Sequence, residues 1–146
     1  MKFNTKLLHG KAGRNTPDGA TLPRISQVSA FSYDSAEHLE KVFGNKAPGF
    51  AYTRIGNPTV AAFEQRINEV EGGTGAIACA SGIAAITVAL LNVLSAGDEI
   101  IAGSGLFGGT IDLFKDLEAF GITTHFIPHI TVEDIKPVLN QNIKAV

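Results

Sequence analysis

Short apolar runs alternate with helical patterns through the second half of this 146-residue chain, and glycines mark the connections between them. The apolar runs predict strands at residues 76–80, 99–102 and 122–127, and the beginning of a fourth at 144–146. Because parallel strands need a crossover, usually a helix, this alternation predicts right-handed βαβ units. We therefore expect an α/β fold, with a mostly parallel sheet covered by helices on both faces.

Capping residues predict where the helices begin, because Ser, Asn and Asp side chains accept hydrogen bonds from first-turn N–H groups. The predicted starts are the capping-box-like segment 34–37, Asn57-Pro58-Thr59, Ser81-Gly82 and Gly108-Gly109-Thr110. Glycines predict the corresponding ends at Gly44, Gly72, Gly97 and Gly121. The helix from Gly108 should direct four side chains inward: Leu113, Phe114, Leu117 and Phe120. Helical character is weak over residues 131–140, because Pro137 lies too deep for a long regular helix.

Residues 1–57 differ in composition, being rich in Gly, Pro, Ser, Thr and Asn with one short helix signal. A segment of this kind buries little of its own surface, so we expect an arm that lies on another surface, such as that of a second subunit. The predicted organisation is an arm at 1–57 followed by a partial α/β domain at 58–146.

Composition and charge exclude several classes of protein. Twelve Lys and Arg residues stand against fourteen Asp and Glu residues, which argues against nucleic-acid binding and against a polybasic membrane anchor. The single cysteine, Cys79, cannot form an intramolecular disulfide or a zinc cluster. The N-terminus lacks the apolar core of a signal peptide, and the longest apolar stretch is too short to span a bilayer. We expect a soluble, cytoplasmic protein.

Ser81 and Gly82 form a candidate anion site, because they follow a predicted buried strand and begin a helix. The first N–H groups of a helix are unpaired and carry the positive end of its dipole, and glycine lets an anion approach the main chain. The alternative is an ordinary N-cap serine followed by a closely packed glycine. The motif alone leaves both open.

Tyr52 and Arg54 form a second candidate. If the segment is extended, the two side chains point to the same face, where a guanidinium and a phenol can hold one phosphate. The alternative is a surface arginine beside a packing tyrosine. If this pair and Ser81 serve the same phosphate, the arm must reach it within one chain or across a dimer.

Other patterns are weaker. Residues 103–108 match G-x-G-x-x-G, which suggests a dinucleotide site, but the next strand has no acidic residue placed for a ribose hydroxyl. His125 and His129 have no Cys or carboxylate pattern around them, so no metal site is predicted. Cys79 is expected to be a small core residue.

Three segments together resemble the Cys/Met-metabolism family of pyridoxal phosphate (PLP) enzymes. They are YTRIGNPT at 52–59, ASGIAA at 80–85 and LFGGT at 106–110. Residues 27–37, with the YTR-x-x-NPT form, are most similar to the O-acetylhomoserine sulfhydrylase branch. The resemblance covers essentially the whole chain and implies the major domain of a fold-type-I PLP enzyme.

The resemblance also implies roles for individual residues. The implied cofactor-binding residues are Tyr52, Arg54, Ser81, Gly82, Ile83 and Phe107. Tyr52 and Arg54 would bind the cofactor phosphate of a neighbouring subunit, and main-chain N–H groups at 81–83 would bind it from the home subunit. Phe107 stands where the family commonly has a tyrosine that stacks on the pyridine ring, so stacking is kept and the hydroxyl is lost.

The resemblance places the family's catalytic lysine beyond Val146, so no catalytic residue is expected in this chain and we expect an N-terminal portion of an enzyme. The implied activity of an intact relative is formation of homocysteine or methionine from O-acetylhomoserine and sulfide or a thiol. The alternatives are a cystathionine γ-synthase or methionine γ-lyase type of enzyme, a non-catalytic remnant, and a dinucleotide-binding domain. The implied partners are amino-acid substrates and either further copies of the chain or a complementing C-terminal chain.

Overall fold

The computed structural model describes residues 2–10 and 19–146. The chain divides into two compact units, Met1–Ala78 and Cys79–Val146. The functional division predicted at residue 57 stays a prediction. Among the described residues, none of the helices combines the length and apolar character that crossing a bilayer requires.

Residues 2–10 and 19–78, the described part of the first unit, contain three helices: α1 Phe3–His9, α2 Ala36–Phe43 and α3 Pro58–Glu71. The predicted starts of α2 and α3 are confirmed, because Ser35 accepts from the His38 N–H at 3.2 Å and Asn57 from the Thr59 N–H at 2.8 Å. Gly72 ends α3 in the left-handed region, at φ 69°.

Helix α1 has no counterpart in the prediction. Its N-cap, Lys2, makes no side-chain capping bond, so the local sequence carries no start signal. A residue of α3 completes the other end: Arg66 donates 2.8 Å hydrogen bonds to the carbonyls of Lys6 and Leu7. The contact spans about sixty positions of the chain, and a local pattern cannot reveal it.

The second unit is a three-stranded parallel sheet in the order β2-β1-β3, with four helical segments. The strands are β1 Glu99–Gly103, β2 Thr123–Ile127 and β3 Ile143–Ala145. The helices are α4 Gly82–Leu91, α5 Gly108–Asp116, a 3₁₀ turn at Leu117–Phe120, and α6 Val132–Ile135. The α/β fold with a parallel sheet is therefore confirmed, as is the shortness of the helix before Pro137.

The core of this unit surrounds the central strand. Side chains from both sides of β1 are buried, with Ile100 and Ala102 on one face and Ile101 on the other. The first face packs with a cluster drawn from the helices and connections: Leu94, Phe114, Leu117 and Ile122. Burial on both faces explains why β1 reads as a continuous apolar run.

The predicted strand at residues 76–80 is wrong. Among the described residues no strand pairs with this segment, and Ile77 is 81% exposed. The Ala78 N–H donates to the Glu64 carboxylate at 2.8 Å instead of to a ladder carbonyl. An apolar run becomes a strand only when a partner supplies ladder hydrogen bonds, and composition does not report the partner.

Two predicted helix details are also wrong. Helix α4 ends at Leu91 rather than near residue 96, and the turn that follows brings Leu94 into the core. Phe120 is 65% exposed rather than inward, because α5 tightens into a 3₁₀ turn after Asp116. A 3₁₀ turn has about three residues per turn, so it rotates later side chains away from the face that α-helical spacing predicts.

A polar network joins the strands at their amino ends. Glu99 at the start of β1 accepts hydrogen bonds from the amides of Asn140 at 2.8 Å and Asn142 at 3.2 Å, both just before β3, and bonds His125 of β2. These bonds, led by Asn140, stabilise the carboxylate and lower the pKa of Glu99 from 4.5 to about 2. His125, for which no metal site was predicted, is therefore bonded to a carboxylate of the neighbouring strand.

Candidate cofactor site

The amino end of α4, the predicted anion site, is an open turn. Ser81 caps the helix, its Oγ accepting from the Ala84 N–H at 3.1 Å, while its carbonyl accepts from the Ala85 N–H at 3.0 Å. The N–H groups of Gly82 and Ile83 therefore lie in the first turn, where an α-helix provides them no carbonyl. A Cβ built at Gly82 would meet nothing within 4 Å, so the main chain is accessible there. The predicted cap and the predicted access are both present.

Phe107 lies in the same unit, immediately before α5, and is 78% exposed. Its ring and the Ile83 side chain both lie close to Gly109, because a Cβ built there would be 3.0 Å from Phe107 Cε1 and 3.8 Å from Ile83 Cδ1. The structure therefore brings an aromatic face and the α4 turn into one neighbourhood, although 24 residues separate them in the chain.

Tyr52 and Arg54 lie next to each other, as predicted, but the backbone between them is not extended. The Tyr52 carbonyl accepts from the N–H groups of Ile55 at 2.9 Å and Gly56 at 3.0 Å, so the segment is a turn. The Arg54 guanidinium carbon lies 5.1 Å from the centroid of the Tyr52 ring, a cation–π contact. Stacking holds the pair, and both side chains are exposed.

Asn57 holds that turn in place, a role that the sequence patterns did not reveal beyond helix capping. The side chain is buried, and its Nδ2 donates to the Ser26 carbonyl at 3.1 Å and to Thr53 Oγ1 at 3.0 Å while its Oδ1 caps α3. Thr59 Oγ1 accepts from the Ser26 N–H at 2.8 Å. The Asn57-Pro58-Thr59 segment therefore joins the segments around Ser26 and Thr53 to helix α3 by hydrogen bonds.

We expect Asn57→Ala to lower the free energy of unfolding of the first unit by about 2–3 kcal/mol. The change removes a helix cap and leaves the Ser26 carbonyl and the Thr53 hydroxyl, which meet the buried Asn57 amide in a partly buried network, without this donor. Urea denaturation followed by circular dichroism measures the effect. Asn57→Ser is the matched control, because a serine hydroxyl keeps an oxygen that can cap α3 while the amide donor is lost, so it should cost less. Equal stability of wild type and Asn57→Ala would contradict the assignment.

The residues of the second unit fit a phosphorylated aromatic cofactor. Ser81, Gly82 and Ile83 offer first-turn N–H groups and no obstructing side chain at Gly82, and Phe107 offers an exposed ring for stacking. Residues 4–146 match the family described as Cys/Met metabolism PLP-dependent enzyme. The chain belongs to this family. Pyridoxal phosphate is accordingly the cofactor, and the dinucleotide alternative is not retained.

Curated relatives of this chain include a homocysteine synthase and an O-acetyl-L-homoserine sulfhydrylase. The homocysteine synthase of Schizosaccharomyces pombe is 40% identical over 99% of this chain and 34% of its own length. The O-acetyl-L-homoserine sulfhydrylase of Leptospira meyeri is 36% identical over 99% of this chain and 33% of its own length. A solved structure of a putative O-acetylhomoserine (thiol)-lyase from Campylobacter jejuni superposes with a TM-score of 0.88 at 30% identity, covering 98% of this chain and 36% of that one.

The family match carries two further facts. This chain spans about a third of the length of the curated relatives it matches. Those relatives are enzymes that act on amino-acid substrates, and they include L-methionine gamma-lyase from Treponema denticola at 34% identity.

Proposed function

We propose that this chain is the phosphate-holding part of a PLP-dependent enzyme that forms homocysteine or methionine from O-acetylhomoserine and sulfide or a thiol. The observation that carries the proposal is the open first turn of α4 with the Phe107 ring in its neighbourhood. Relatives named homocysteine synthase and O-acetyl-L-homoserine sulfhydrylase match over 99% of this chain, which supports the substrate class.

Each named residue has a binding task in this proposal. Main-chain N–H groups at Ser81, Gly82 and Ile83 hold the phosphate of the home subunit. Phe107 stacks on the pyridine ring and, having no hydroxyl, transfers no proton. When bound, the cofactor acts as an electron sink for the carbanion formed at the substrate α-carbon.

Tyr52 and Arg54 complete the phosphate site of a second copy in this proposal. Their cation–π contact presents the guanidinium donors and the phenol hydroxyl together at an exposed turn, as a shared phosphate ligand requires. The functional protein is then a homo-oligomer, in which each copy lends its arm to the other. A cytoplasmic location is part of the same proposal.

The runner-up is an enzyme of the methionine γ-lyase or cystathionine γ-synthase type. Methionine γ-lyases from two genera and solved structures of cystathionine enzymes also match nearly the whole chain. The phosphate and stacking residues serve all of these reactions alike, so the substrates discriminate between them.

Capture of the protein from its native cells, followed by substrate assays, tests the proposal. The chain carries an affinity tag, and the captured material receives O-acetyl-L-homoserine with sulfide, L-methionine alone, or an O-acylhomoserine with cysteine. We expect homocysteine from the first mixture, with activity that depends on added PLP. Release of methanethiol from L-methionine would favour the lyase, and formation of cystathionine the synthase. No PLP-dependent product from any mixture would contradict the proposal.

A further inference from the structure

The Phe107 ring lies over the space that a side chain at Gly109 would occupy. A Cβ built at Gly109 would be 3.0 Å from Cε1 and 3.5 Å from Cδ1 of that ring, and 3.8 Å from Ile83 Cδ1. A contact of 3.0 Å is closer than carbon atoms at van der Waals separation, so any side chain at Gly109 displaces the ring. Because Phe107 is 78% exposed, the ring can move outward without disturbing the core.

The preceding glycine behaves differently. A Cβ built at Gly108 would meet nothing within 4 Å. Both glycines lie in the first turn of α5, and neither adopts a positive φ. The backbone therefore requires glycine at neither position, and the two differ in what a side chain would touch.

We propose that Gly109 is a positioning residue for the cofactor ring. Its missing side chain lets the Phe107 ring lie beside Ile83, next to the turn that holds the phosphate, and so sets the plane on which the pyridine ring stacks. This inference rests on the proposed function, because it assumes that the α4 turn holds a pyridoxal phosphate group. Gly109 itself contacts no cofactor atom in the proposal and acts only through Phe107.

Two probes separate ring stacking from phosphate binding. Inorganic phosphate reports phosphate binding without a ring, and pyridoxine 5′-phosphate reports phosphate binding plus ring stacking, without an aldehyde that reacts with lysines. Their dissociation constants are measured by calorimetry on the whole chain. Wild type should bind pyridoxine 5′-phosphate more tightly than phosphate. Gly109→Val should reduce that preference about threefold to tenfold, the range expected for loss of one aromatic contact, with phosphate affinity unchanged.

Gly108→Val is the matched control, because it places the same β-branched side chain in the same helical turn, at a position where the Cβ has nothing within 4 Å. It should keep the wild-type preference. In a Phe107→Ala background, Gly109→Val should have no further effect, since the ring through which it acts is gone. A purely structural effect of the valine would appear in both backgrounds.

The possible failures are distinct. An unchanged ring preference in Gly109→Val would overturn the positioning role and leave the proposed function intact. An equal loss in Gly108→Val, or a loss that persists without Phe107, would overturn it as well. Failure of wild type to bind either probe would contradict the phosphate site on which both proposals depend.

Discussion

Gly82→Asp is expected to weaken binding of pyridoxine 5′-phosphate at least about a hundredfold. The new carboxylate would stand at the first turn of α4, where the phosphate is proposed to bind. Two like charges about 4 Å apart near a protein surface repel by about 4 kcal/mol. The fold should survive, because an acidic residue in the first turn of a helix is favourable, by about 0.3–1 kcal/mol.

Ala85→Asp is the matched control for this prediction. It adds the same charge to the same helix at an exposed residue, after the turn that carries the free N–H groups. Its affinity for the probe should stay near that of wild type, and circular dichroism should show both variants folded. Equal losses in the two variants would indicate a general charge effect, and full binding by Gly82→Asp would remove the phosphate from this turn.

A mixture of two variants that each fail to bind pyridoxine 5′-phosphate is expected to regain binding. Arg54→Ala lacks the guanidinium that one copy contributes to the site of the other, and Gly82→Asp has a blocked α4 turn. Neither variant alone should therefore bind pyridoxine 5′-phosphate tightly. In a mixed dimer, the turn of the Arg54→Ala copy meets the arm of the Gly82→Asp copy, and one of the two sites is intact. Random exchange at equal concentrations makes half of the dimers mixed, so about a quarter of all sites should recover.

Calorimetry on the mixture after subunit exchange, which mild urea promotes, gives the number of recovered sites. The matched control mixes Arg54→Ala with Tyr52→Ala, two lesions in the same arm, and should recover none. Absence of recovery in the first mixture would show that the arm acts within its own chain or not on this phosphate. Recovery in the control would show that exchange itself, rather than complementation, restores binding.

The sequence predicted some features of the candidate site and not others. The Ser81 cap and the access at Gly82 follow from two adjacent residues, and the structure has both. The association of Tyr52 with Arg54 was anticipated through an extended strand, whereas a turn and a stacking contact produce it. The proximity of Phe107 to Ile83 could not be read from periodicity, because it depends on how α4 and α5 pack.

Asn57 shows what a local pattern leaves out. Its capping of α3 involves a residue two positions away and was predicted, but its amide also reaches the Ser26 carbonyl, 31 positions earlier. A signal read only as a helix start is therefore also the point that joins the arm to α3. The partners of a buried amide are decided by the path of the chain, on which the residue type gives no information.

The sequence by itself determined where most helices begin and which runs form the centre of the sheet. Caps at Ser35, Asn57 and Ser81 act within one turn, and the apolar run of β1 must be buried wherever the chain goes. Only the tertiary structure decided that residues 76–80 stay unpaired, that α1 forms against Arg66, and that Phe120 turns outward. The reason is the range of the interaction: a cap closes over two or three residues, whereas a ladder, a side-chain bond between helices or a packing direction needs a partner distant in the chain.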